Sequence, residues 1–518
     1  MPSSVDFSGR PFHFIGIGGI GMSALAYVLA KRQLPIYGSD LKSSHITERL
    51  QSLGAHIFWQ QDATNFDVFQ PSSVALSETL SPNIQAKDQT NPGGIGHSTT
   101  SEVQSCINRT VNPLENDTLP QVICSTAIHP GNSEYRAALD LGCPIFHRSD
   151  LLAALIKEYR SIAVAGTHGK TTTSSMIGFM LLQAGIDPTI IVGGEVQAWD
   201  GNARLGHGPF LVAEADESDG SLVNLSAEIG IVTNIELDHP DHYTSLEQVI
   251  DTFQTFNHNC QKLIGCIDCP IVKEHLKPAI SYSLVTDTGA DYVADQIEYG
   301  ADYTQARIWE RGIILGTVRV RLLGSHNLSN TLAAIAVGRL LGLDFSVITE
   351  AIADFGGARR RFEKRGEYGG ITFVDDYAHH PSELQATLAS AKLRKEGVTT
   401  DQLAQPIKRV LAIFQPHRYS RTQAFLHEFA QSFHDSDVVI ITDIYSAGEK
   451  NPGTISGKIL TDLIAQSHSQ VEYVPTLDEL KQVLKNLLHP GDLALFLGAG
   501  NLNQIIPEVM AFYQEKDH

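Results

Sequence analysis

The residues best suited to chemistry form the run Val164-Ala165-Gly166-Thr167-His168-Gly169-Lys170-Thr171-Thr172-Thr173. An apolar stretch at 162–165 reads as a buried parallel strand, and a helical pattern at 174–184 carries Met176, Ile177, Met180 and Leu181 on one face. Strand, glycine turn and helix start make an anion site, because backbone N–H groups and the helix dipole point at phosphate oxygens. Lys170 would reach the terminal phosphates of a nucleotide, and the Thr171 hydroxyl would meet Mg2+. The general phosphate-loop pattern has glycine where this chain has Val164, so the loop is a shortened variant. A plain glycine turn would not require Lys-Thr at the helix start.

Two downstream apolar strands end in acids. One, at 210–213, runs into Glu214-Ala215-Asp216-Glu217-Ser218-Asp219, and the other, at 230–233, into Asn234-Ile235-Glu236-Leu237-Asp238-His239. As neighbours in one sheet they would bring carboxylates and a histidine to the phosphate loop's ligand. Phosphate-bridging Mg2+ needs only one or two protein carboxylates. Acidic solvent loops are the alternative, disfavoured because both runs come straight after apolar strands.

A second glycine run lies upstream. Phe12-His13-Phe14-Ile15 is a short strand, followed by Gly16-Ile17-Gly18-Gly19-Ile20-Gly21, a helix at 22–31, a strand at 35–38 and Asp40. That is the dinucleotide fingerprint, which suits a nucleotide diphosphate without saying which nucleotide. Further on, Asn327 and Asn330 open a helix at 331–342 and could face a base or ribose, or simply cap the helix. Arg359-Arg360-Arg361 after Gly356-Gly357 suits a phosphate or carboxylate contact at a hinge, against a solvated charge run as the default. Strands at 371–374, 410–414, 438–442 and 493–497 each exit into polar or glycine-rich sequence, as a binding edge requires. The first exit carries Asp375, Tyr377, His379 and His380. The second carries Arg418 and Arg421, a plausible carboxylate clamp. Adjacent histidines taken alone more often structure a loop than catalyse.

The elements that must position these residues are α/β units. Strands alternate with helices along the chain, including strands at 122–124 and 144–146, a helix at 132–141 and one capped by Asp150 running to Lys157. At 518 residues, two to four domains are expected. The reading is three: a Rossmann-like unit at 1–158, a phosphate-loop unit at 159–358 and a Rossmann-like α/β unit at 359–518. Between about 67 and 118, Ser, Thr, Asn, Pro, Gly and Gln replace apolar periodicity, which reads as a mobile surface insertion. Lys and Arg number 38 against 58 Asp and Glu, a net −20 that argues against nucleic acid as a partner. No signal peptide and no membrane span are expected. Six scattered cysteines suggest a reducing compartment, and the single Cys266-Ile-Asp-Cys269 lacks a second pair for zinc.

In this order the motifs resemble the Mur ligase family. The resemblance rests on His13 to Ser23, Gly166 to Thr172, Glu214 to Ser218, Asp238-His239, His326 to Asn330, Arg360-Arg361-Phe362, Asp375 to Pro381 and Gln415 to Arg421. The first of these is similar to the alanine-adding branch. The insertion alone has no counterpart in the pattern. The resemblance implies ATP-dependent joining of L-alanine to the carboxylate of UDP-N-acetylmuramate through an acyl phosphate. It further implies that Gly16, Gly18, Gly19, Ile20, Gly21, Met22 and Ser23, with Asp40, Ser125 and Thr126, hold the UDP-sugar. Gly166, Thr167, His168, Gly169, Lys170, Thr171 and Thr172 would take the ATP phosphates, with Arg360 and Arg361 nearby. Asn327 would lie at the adenine, with Asn330 also in the ATP site, and Asp375 near the ribose. Thr171 and Glu214 would ligate one Mg2+, and Glu214 and His239 a second. Tyr377, His379, His380, Arg418 and Arg421 would surround the incoming amino acid. Lys170, Glu214, His239, Arg360 and His379 are the expected catalytic set, in a cytoplasmic monomer or weak homodimer with no carbamylated lysine. The alternatives are a murein tripeptide-recycling ligase on the same sugar nucleotide, a non-catalytic UDP-sugar-binding protein and an NAD-dependent oxidoreductase.

Overall fold

A computed structural model describes residues 4–70, 119–397 and 406–515. The expected insertion lies, beyond Gln70, outside the described residues; before it, Ala63–Phe69 forms a 3-10 helix.

Three sheets succeed one another along the chain. The first has five parallel strands in the spatial order His56–Phe58, Ile36–Ser39, Phe12–Ile15, Gln121–Cys124, Ile145–His147. Strand order reverses beside Phe12–Ile15, so the turn at 16–21 and the exit at Ser125 open onto one crevice.

The second sheet has ten strands. Arg160–Ala165, which carries the phosphate loop, is flanked by Phe210–Glu214 on one side and Ile229–Val232 on the other. The two acid-ended strands are therefore not neighbours, as the sequence suggested; the phosphate-loop strand separates them and places one acidic exit on each side of the loop. The sheet is also not wholly parallel. Thr189–Val196 and Gly201–Arg204 form a hairpin at one edge, and Tyr292–Tyr299, Thr304–Glu310 and Ile313–Val320 form an antiparallel meander at the other. Its last turn has Arg311 and Gly312 at φ 49° and 80°, the geometry that suits the twist of a two-residue hairpin.

The third sheet runs Glu363–Tyr368, Ile371–Asp376, Asp492–Leu497, Arg409–Phe414, Val438–Ile441, Val471–Tyr473, parallel except for its first pair. Apolar clusters cover both of its faces. The first two units share a core, in which Phe12, Leu25 and Leu151 join Ala163, Ala213 and Phe253 in one buried cluster. That shared core fixes the glycine turn at 16–21 relative to the phosphate loop.

The helix Arg148–Lys157 is capped by His147 rather than Asp150. Asp150 is its third residue and accepts the His147 backbone N–H at 2.9 Å, completing a reciprocal capping box.

Candidate functional site

Gly169 has φ 81° and precedes the helix Lys170–Gln183. A Cβ there would lie 2.7 Å from Asn330 Oδ1, so the position takes glycine for both conformation and space. The turn is thus packed against the helix Ser325–Leu340, which delivers Asn327 and Asn330 to the loop. His168 N donates to Asn234 Oδ1 at 2.8 Å, tying the loop to the neighbouring strand exit.

Lys170 Nζ donates to Gly166 O at 2.7 Å and lies 2.8 Å from Glu217 Oε1. Burial would depress this ammonium, but Glu217, Asp216 and Glu214 outweigh it and hold it above the ordinary lysine value. Glu214 accepts the Gly193 N–H at 2.7 Å and faces the Thr171 hydroxyl; burial pushes its carboxyl up despite Lys170. His239 Nε2 lies 3.7 Å from both Glu217 Oε1 and Asp238 Oδ2. Glu217 therefore stands between the lysine and the histidine. Sequence patterning did not single it out from the acidic run, because a loop gives no periodicity to say which acid turns inward.

A cleft of about 770 Å3 is walled by all three units. Gly19, Ile20, Gly21, Met22 and Ser125 line one side, Thr167, His168, Gly169, Lys170, Thr171, Glu214 and His239 the floor, and Arg360, Arg361, Tyr377 and His379 the far side. Arg360 and Arg361 stand over the Tyr377 ring, 4.9 and 5.3 Å from its centroid. Arg148, at the exit of the strand Ile145–His147, also enters the cleft and pairs with Asp216 at 2.7 Å and Asp219 at 3.1 Å. The strand-exit rule could have found it.

A second cavity, about 250 Å3, adjoins the loop. His168, Gly169, Thr172, Asn327, Asn330 and Arg361 line it, and so does Asp376. Asp375 does not: its buried carboxylate takes Arg365 Nη1 at 3.0 Å and Arg360 Nε at 3.5 Å. Side chains alternate along the strand Ile371–Asp376, so of two adjacent acids only one can face the cavity.

Other expected site residues stand back from both cavities. Gly18 N donates to Asp40 Oδ2 at 2.8 Å, so Asp40 braces the glycine turn, and Gly16, at φ 79°, donates its N–H to Ser39 O at 2.9 Å. Ser23 is buried and accepts a hydrogen bond from Asn202 Nδ2 at 3.0 Å, while Thr126 is exposed. Gly166 lies against Thr233. Arg421 Nε donates to Asp238 Oδ1 at 2.9 Å, both side chains about 5% exposed, and Arg418 pairs with Asp241. The expected carboxylate clamp is thus held by acids of the second unit. His239, Arg360 and Arg418 all have positive φ (54°, 56° and 68°), strain of the kind that collects at functional sites.

His380 is buried and lies behind the cleft, its ring 4.7 Å from that of His168. His168, Glu236 and His380 each bring one ligand-type atom to within 4.8 Å of the others. Burial would lower the His168 pKa, but Glu236 and Glu383 outweigh it and raise it to about 9. An imidazolium between two carboxylates accounts for this cluster without a metal ion.

The matched family models follow the three sheets: "Mur ligase family, catalytic domain" over 11–93, "Mur ligase middle domain" over 164–338 and "Mur ligase, glutamate ligase domain" over 360–500. The chain is 61% identical to the UDP-N-acetylmuramate–L-alanine ligase of Nostoc punctiforme over 515 residues, covering 99% of each chain. It is also 61% identical to the ligase of the same name from Trichodesmium erythraeum, covering 99% of this chain and 98% of that one. Among solved structures, the UDP-N-acetylmuramate-alanine ligase of Thermotoga maritima matches with TM-score 0.76 and 26% identity, over 98% of this chain and 100% of that one. A murein peptide ligase from Psychrobacter arcticus shares the fold at TM-score 0.64 and 21% identity, over 98% and 99%. On these matches, together with the phosphate loop and its flanking acids, the chain belongs to the Mur ligase family.

Proposed function

We propose that the protein joins L-alanine to the carboxylate of UDP-N-acetylmuramate, converting ATP to ADP and phosphate, as a step of peptidoglycan synthesis. The observation that carries this reading is the single cleft on which the 16–21 turn, the phosphate loop and the Tyr377–His379 segment meet. The names of relatives at 61% identity supply the substrates. Residues 1–158 would take the sugar nucleotide, 159–358 ATP and 359–518 the amino acid, in a cytoplasmic protein that is monomeric or weakly dimeric. Among the described residues no helix is long and apolar enough to cross a membrane.

A carboxylate is a poor acyl donor, so its oxygen attacks the γ-phosphorus of ATP, ADP leaves and an acyl phosphate forms. Lys170, with Arg360 and Arg361, neutralises the charge that grows on the transferring group. Seating the phosphates draws Lys170 away from Gly166 O and Glu217. Thr172, Asn327 and Asn330 orient the nucleoside from the smaller cavity. The unprotonated amine of L-alanine then attacks the acyl carbon, the bond to phosphate oxygen breaks, and an amide and inorganic phosphate result. His379, which lines the cleft, would take the proton the amine loses. Arg418 and Arg421 would exchange Asp241 and Asp238 for the alanine carboxylate.

The residues present fit Mg2+. Thr171 and Glu214 offer oxygens, His239 an imidazole, and Glu217 Oε2 is buried with no hydrogen-bond partner. Mg2+ held there would offset phosphate charge.

ADP release from ATP and Mg2+ tests the assignment. It should require both UDP-N-acetylmuramate and L-alanine. ADP without the sugar nucleotide, equal use of L-lysine, or preference for a murein tripeptide would contradict it.

A further inference from the structure

Glu383 stands at the wall between the two cavities and lines both. Its two oxygens face different units of the molecule. Oε1 lies 3.4 Å from His168 Nδ1 in the phosphate loop and 3.8 Å from Arg361 Nη1. Oε2 accepts the backbone N–H of His379 at 2.9 Å and of His380 at 3.3 Å, and lies 3.1 Å from His379 Nδ1. Burial would raise its pKa, but His379 and His168 outweigh that and hold the carboxylate ionised, well below the usual range.

A simpler role exists. Glu383 is the third residue of the helix Pro381–Glu396 and closes a capping box with His380. Glutamine fills that position as well as glutamate does. A cap uses one oxygen and needs no charge, whereas here the second oxygen is turned to another unit and toward two cationic groups.

We propose that Glu383 is a positioning residue that holds the phosphate loop and the His379 segment in one register, so that ATP and the incoming amino acid are seated together. This deepens the functional reading above and rests on it. Both oxygens belong to one rigid planar group, so a shift of His168 as phosphates enter moves the anchor of His379. By linkage, the amino acid must then act back on the nucleotide to the same extent. These partners of Glu383, His168, Arg361, His379 and His380, include none of Gly19–Met22, the side proposed for the sugar nucleotide.

The test is the KM of each substrate in E383Q. KM for ATP and for L-alanine should each rise about tenfold, while that for UDP-N-acetylmuramate stays within about twofold. The helix cap survives in E383Q, so the variant should fold, with its melting temperature lowered only by loss of the His168 ion pair. Wild-type KM values for ATP and alanine would overturn the proposal, and so would an equal rise for all three substrates. Should E383Q fail to fold, His168→Asn removes the Oε1 partner and leaves the helix cap intact. Its alanine KM should also rise; an unchanged alanine KM overturns the proposal. Absence of alanine-dependent ADP release in the wild type would instead refute the functional reading itself.

Discussion

Two glycine turns leave parallel strands in this protein, one at 16–21 after Phe12–Ile15 and one at 166–169 after Arg160–Ala165. Both precede helices and both line the shared cleft. Their surroundings differ. The first turn has an acid behind it, Asp40 on the Gly18 N–H, and no lysine within its loop. The second has Lys170 at the helix start, with Glu214 and Glu217 facing it from a flanking strand exit. On the proposed reading the first seats a diphosphate that does not react. On the same reading the second stands where charge changes hands during the reaction, and mutation should separate the two roles.

The largest effect should come from Lys170→Ala. Removing the main neutralising cation should lower kcat by about 10²–10³ with the sugar-nucleotide KM little changed. Near-normal turnover in steady-state kinetics would erase the distinction between the turns. Next is Glu217→Gln, which keeps the shape but removes the charge shared by Lys170 and His239. We expect kcat to fall by about 10–100-fold, with a higher Mg2+ requirement in the titration of rate against metal.

The first turn should respond in the other parameter. In Gly18→Ala the added Cβ would lie 2.7 Å from Asp40 Oδ2. UDP-N-acetylmuramate KM should rise about tenfold while saturated turnover holds. A fall in kcat alone would mean that this turn, too, acts on the transition state.

The smallest effect concerns stability. The His168 pKa is raised from 6.5 to about 9, so its ion pairs stabilise the fold fully below pH 6.5 and lose that contribution as pH rises through 9. Urea unfolding of wild type and His168→Asn between about pH 6 and 10 should show a stability gap that narrows with rising pH. A gap that widens would contradict the charged triad.

Much of this was legible in the chain. Each of the two turns announces itself, because backbone N–H groups can close on phosphate only where glycines permit it. The strands at 162–165 and 410–414 also stood out, as unbroken apolar runs between polar exits. What lay beyond reach was tertiary. The sequence marks acids at two strand exits but does not give the sheet order that sets them on either side of the loop. It offers Asp375 and Asp376 as equals, and only the pleat decides which faces the cavity. Arg418 and Arg421 read as free clamps because their partners, Asp241 and Asp238, belong to another unit about 180 residues away (183 for Arg421 and Asp238). The antiparallel meander at 292–320 was missed because its alternation covers only one buried face, a weaker signal than a parallel strand's run.

On the proposed function, the phosphate-loop turn activates a carboxylate by phosphorylation. This step is tested most directly with UDP-N-acetylmuramate carrying oxygen-18 in its carboxylate. Turnover with ATP and L-alanine should release inorganic phosphate holding one labelled oxygen, together with ADP. Unlabelled phosphate, or label appearing in AMP with release of pyrophosphate, would contradict the account.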